Sequence, residues 1–179
     1  MLEDLSLHVL DIAENAVEAK ARRVGIRVEE RRSKDRLVLE IKDDGRGMGR
    51  RRLVRALDPF FTTKKTRRVG LGLPFLAQAA AAAGGRLKVA SDPARGTKVR
   101  ATFRLGHIDR QPLGDMAATL AALAVGHPAV EFRYTHVTDI GRFTFRSRDF
   151  AGLPSSGRPP FSGIQRHIRD SLDRLRRTS

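Results

Sequence analysis

Apolar residues recur at threes and fours along the opening stretch LEDLSLHVLDIAENAVEAKARR, which contains neither Gly nor Pro. Val9, Ile12, Ala13, Ala16 and Ala19 share one stripe, and Asp11, Asn15, Glu18 and Arg22 share another. That spacing predicts a two-faced helix. The period then drops to two. RVGIRVEER and RLVLEIKD alternate apolar and polar positions on either side of the polar turn Arg32–Asp35, the pattern of a strand pair. GRRRLVRALD reads as a short helix ending at Asp58, before Pro59.

PFFTTKKTRRVG has no clear period and reads as a loop that closes over a ligand. LGLPFLAQAAAAAGG predicts a helix, with Pro74 in the first turn, where its missing N–H is not needed, and Gly84-Gly85 at the end. RLKVAS and TKVRATFRL, joined by DPARG, predict another hairpin. Beyond Gly106 come an Ala/Leu helix, two strands about a turn at Asp139–Gly141, a Pro/Gly/Ser-rich stretch and a terminal helix with Ile164, Ile168, Leu172 and Leu175 in line. The helix–strand–strand–helix–loop–helix–strand–strand order accounts for residues 1–106 as one α/β layer unit, with residues 107–179 as a small α/β extension.

Composition narrows the classes. The 179 residues suffice for one domain with a real core, or a compact domain plus an extension. No apolar run approaches the roughly 20 residues of a membrane helix, and the first residues lack a secretory pattern. A cytoplasmic protein is expected. Cysteine is absent, which excludes disulfides, zinc–thiolate sites and cysteine catalysis. The formal charge of +15 invites a nucleic-acid reading. The basic residues are scattered along the chain, however, and aromatics are not interleaved with them, which argues against nucleic acid as the ligand.

Three stretches carry candidate chemistry. Asp11 and Asn15, one turn apart, project side by side, about 5–6 Å apart at Cβ. An Asn oxygen suits a hard cation shared with phosphates, and Asp11 is able to orient or deprotonate a water. In EIKDDGRGMGR, Asp43 ends a strand and is placed to accept a hydrogen bond from an exocyclic amine. Gly45 and Gly47 permit close backbone approach, and Met48 offers a polarizable surface for a ring. Gly70 and Gly72 open a helix whose unpaired N–H groups form an anion site, and Lys64 and Lys65 stand in the loop before it. Taken singly, each is also what a solvated helix face, a strand-ending turn or a charged loop would show.

Together, LDIAENAVEAKA, DDGRGM, DPFFTTKK…RVGLGL and RGTKVRATFRL appear in the order of the four boxes of the GHKL ATPases, and residues 1 to about 106 resemble that superfamily. It holds gyrase-type topoisomerases, ninety-kilodalton heat-shock chaperones, histidine kinases and mismatch-repair ATPases. The resemblance implies an α+β fold, a two-layer α/β sandwich of Bergerat type with a mixed sheet and helices on one face. It also implies ATP and magnesium as cofactors. By the same resemblance Asp43 takes the adenine amine, Gly45 and Gly47 shape the base pocket with Met48, and Thr97 reaches the adenine through water. Asn15 ligates the magnesium, and Gly70, Leu71 and Gly72, followed by Leu73, meet the phosphates under Lys64 or Lys65. Asp11 stands where hydrolysing members carry a Glu, one methylene longer, and Arg68 stands where kinase-type glycine runs begin.

The kinase-like boxes come without room upstream for a phosphoacceptor-histidine domain, and His8 reads as a packing or surface residue. Three functions follow: transfer of the γ-phosphoryl to a separate protein partner, an ATPase whose nucleotide state switches dimerisation or partner binding, and a non-catalytic basic interaction protein.

Overall fold

The computed structural model describes residues 4–58, 72–150 and 160–177. The first helix, α1 (Leu5–Glu18), begins where the Asp4 side chain accepts a hydrogen bond from the Leu7 N–H at 3.1 Å. It ends earlier than the sequence period predicts. Lys20 adopts a positive φ of 65°, so Ala19 caps the helix and Arg22 lies outside it. This turn lets β1 (Arg23–Arg31) run back along the helix, with Val24, Ile26 and Val28 buried on its inward face. A short 3-10 turn, Arg32–Lys34, and Asp35 in the left-handed region lead into β2 (Arg36–Asp43).

After the glycine-rich turn comes α2 (Arg50–Ala56), one cap residue short of Asp58. Next are α3 (Gly72–Ala82), β3 (Arg86–Asp92) and β4 (Gly96–Arg104). Pro74 lies in the first turn of α3, and Gly84, at φ +66°, follows its end. The chain continues through α4 (Met116–Gly126), β5 (Glu131–Val137), β6 (Arg142–Arg146), a second 3-10 turn (Ser147–Phe150) and α5 (Pro160–Arg177).

The six strands form one sheet in the order β3-β4-β2-β1-β5-β6. All neighbours are antiparallel except β1 and β5, so the sheet is mixed. The helices lie over one face, giving two layers in an α+β fold. The strands after residue 106 extend this sheet, and Leu120, Leu123, Phe132, Tyr134 and Ile168 join Leu5, Val9, Leu39 and Leu76 in one core. The later part of the chain also grips α1. The Leu5 N–H donates to the Pro112 carbonyl at 2.9 Å, buried His8 hydrogen-bonds Gln111 at 3.1 Å, and Glu14 meets His127 at 2.9 Å. Helix α1 is thus held by the later part of the chain at its first turn and along the edge of its polar stripe, where His8 and Glu14 are each one turn from Asp11.

Candidate nucleotide site

The end of β2, the turn after it and the start of β4 converge at one end of the sheet, opposite α1 and the start of α3. Asp43 is 8% exposed there. Its Oδ1 accepts the Gly45 N–H at 2.8 Å and the Thr97 N–H at 3.3 Å. Oδ2 receives no hydrogen bond from a described residue and remains as an acceptor in the cleft. Burial pushes the Asp43 carboxyl above the usual aspartate range, with the Gly45 and Thr97 amides opposing and Asp44 adding to the rise.

Ser91 ties the two walls of this corner together. Its Oγ accepts the Met48 N–H at 2.8 Å and lies 2.8 Å from the Thr97 hydroxyl and 3.1 Å from the Gly96 carbonyl. Gly47 holds a φ of +64°, and a Cβ there would run into the Asp92 carbonyl. Only glycine fits that close approach between the turn and the β3–β4 hairpin.

On α1 the Asn15 Nδ2 donates to Asp11 Oδ2 at 3.3 Å, which leaves the Asn15 carbonyl oxygen for another partner. The Asp11 carboxylate packs against Gly72, where a Cβ would overlap it. An acid and an amide oxygen are therefore set beside the first residue of α3, whose N-terminal amides favour anions.

One cleft is lined by Asn15, Asp43, Gly47, Met48, Gly72, Leu73 and Thr97. Gly45 stands behind it as a donor to Asp43, and Asp11 stands beside it against Gly72. Lys64, Lys65, Gly70 and Leu71 lie outside the described residues. The cleft also has walls that sequence reading passed over. Arg52 and Arg55 present their i, i+3 face from α2, and Glu18, on the stripe with Asn15 but given no role there, follows Asn15 by one turn. The i, i+3 spacing in RRRLVRA was the available signal; read only as a short helix, it gave no direction. Among the described residues no group of three or more His, Cys, Asp or Glu side chains is placed to hold a metal ion.

A family profile described as histidine kinase-, DNA gyrase B- and HSP90-like ATPase matches residues 2–107. The chain belongs to that family. Its ATP-binding domain is the part that carries the cleft. No curated protein matches the sequence. Among solved structures, the N-terminal domain of a DNA repair protein is similar, with a TM-score of 0.59 at 15% identity over 87% of this chain. The Aquifex aeolicus MutL ATPase domain complexed with ADP gives a TM-score of 0.49 at 14% identity over 78% of this chain. The chain spans 58% and 61% of those two structures. The first likeness bears on fold alone. No helix among the described residues is long and apolar enough to cross a membrane.

Proposed function

We propose that the chain binds ATP with magnesium in this cleft and transfers the γ-phosphoryl to a separate protein. The half-occupied carboxylate of Asp43 carries the reading. One oxygen is fixed by two backbone amides, and the other is left to accept from an exocyclic amine in a buried corner, where a hydrogen bond to a charged group contributes about 1.5–3 kcal/mol. Thr97, held by Ser91, serves the same edge of the base through water. Met48 and Leu73 offer apolar surface to the ring. The amides at the start of α3 face the phosphates, with Gly70, Leu71 and the lid lysines Lys64 and Lys65 assigned there by resemblance.

The residues present fit magnesium. The Asn15 amide nitrogen is spent on Asp11, so its oxygen is available to a hard cation, and a single protein ligand suffices when phosphates and waters supply the rest. The ion, when bound, neutralises phosphate charge. The chain's own part is positioning, which dominates phosphoryl transfer. Gln111, Pro112 and His127 serve this by holding the helix that carries Asp11 and Asn15.

A second reading is favoured by the seat of Asp11 against Gly72, at the phosphate end of the cleft. There its carboxylate orients a water, and hydrolysis switches dimerisation or partner binding. Asp11→Ala separates the two. Label from γ-labelled ATP appearing on a co-purified protein supports transfer. Release of free phosphate that disappears in Asp11→Ala, with nucleotide binding retained, supports hydrolysis and overturns transfer.

A further inference from the structure

Basic side chains that are scattered along the chain are gathered in space. Strand alternation turns one set of residues toward the helices and the other set outward, and the register aligns the outward set in rows. One row runs across β4, β2, β1, β5 and β6 as Lys98, Lys42, Gly25, Arg133 and Arg146. The adjacent row runs across β3, β4, β2 and β1 as Lys88, Arg100, Glu40 and Arg27. Neighbouring strands are about 4.8 Å apart and same-face residues about 7 Å apart, so these charges form a dense lattice.

The carboxylates within this lattice are already taken. Glu40 is paired with Arg100 at 2.7 Å and Lys98 at 3.1 Å. Glu29 is paired with Arg27, Arg31 and Arg36, and Glu131 with Arg133 and Arg148. Each acid is shared by at least two cations, so the face stays strongly positive. Lys42, Lys88, Arg142 and Arg146 are exposed and make no ion pair with a described residue.

The rest of the face selects the partner. Its apolar side chains Val38 and Val137 are buried, at 1% and 9% exposure, and the aromatic residues of β5 and β6 point inward. The anchors at the centre of a protein interface are therefore missing. So are the stacking platforms for unpaired bases and the large apolar side chains that enter a bilayer. What remains is closely spaced guanidinium and ammonium groups with the threonine hydroxyls of Thr135 and Thr144 between them, a set suited to phosphate oxygens.

We propose that the open face of the sheet binds the phosphate backbone of double-stranded nucleic acid without reading its sequence. The face is opposite the helices, and binding there leaves the nucleotide cleft open.

The test is fluorescence anisotropy of a labelled mixed-sequence DNA duplex with the full chain, titrated across salt concentrations. The expected log K falls linearly with log salt, and neutralising a contacting residue lowers that slope by about 1. Lys42→Gln with Arg146→Gln is the variant of choice, and Arg142→Gln on the edge strand β6 is the second, used if the first does not fold. Thermal melting reports the fold of each. The proposal is overturned by absent duplex binding at roughly 50 mM salt, or by a slope that neither folded variant changes. It is equally overturned if polyglutamate or phosphatidylserine vesicles of matched charge bind the face more tightly than the duplex does.

Discussion

Gly45 donates its backbone N–H to Asp43 Oδ1 at 2.8 Å, and this bond decides which oxygen of the carboxylate is left for a ligand. The turn that provides the donor is also the turn that needs glycine at position 47, so base recognition and backbone geometry are set by the same few residues.

Ser91→Ala is expected to weaken ATP binding on the order of five- to tenfold, about 1 kcal/mol. It leaves the Met48 N–H without its partner and frees the Thr97 hydroxyl to rotate. Isothermal calorimetry on the folded variant checks this; an unchanged dissociation constant would show that the Thr97 hydroxyl needs no such support.

Acid is expected to release nucleotide early. The ionised Asp43 carboxylate is the acceptor, and burial raises its pKa in the free protein. Affinity is therefore lost as pH falls through that raised value, above the roughly 3.9 of an unperturbed aspartate. Asp43→Asn binds more weakly at neutral pH and shows no such step. A wild-type binding profile that stays flat down to about pH 4 contradicts this assignment.

Stability has its own pH dependence, through His8. Burial lowers its pKa below 6.5, against the opposing effects of the Gln111 side chain, the Gly72 backbone and Asp4. The unfolded chain takes up the proton at the ordinary value, while the folded chain resists it. The contribution is thus complete above about pH 6.5 and is lost as pH falls from there to the depressed folded value. Urea midpoints at about pH 7.5 and about pH 5.5 should differ more for the wild type than for His8→Leu. Equal differences would exclude His8 as the source.

Much of the fold was legible because its signals are local. Alternation with a polar turn marked β1–β2 and β3–β4, and Pro74 with Gly84 marked the limits of α3. Pairings between distant segments leave no local trace. Nothing in Glu131–Val137 specifies that it lies parallel to β1, a pairing that accompanies the packing of α4 on α1. The early stop of α1 depends on Lys20 in a left-handed conformation that lysine seldom adopts. In the cleft, motif order pointed to Asp43, Gly47 and Thr97, whereas Ser91, Arg52 and Arg55 enter only through geometry. The basic sheet face was hidden for the same reason, since a period of two disperses its members along the chain.

ATP with magnesium is proposed to occupy the corner held by Asp43. Calorimetric titration of the folded wild-type chain and of Asp43→Ala tests it most directly. Saturable uptake by the wild type and at least a tenfold loss in the variant, from the missing charged acceptor, are expected. No heat of uptake by folded wild-type protein, or equal uptake by both proteins, would contradict it.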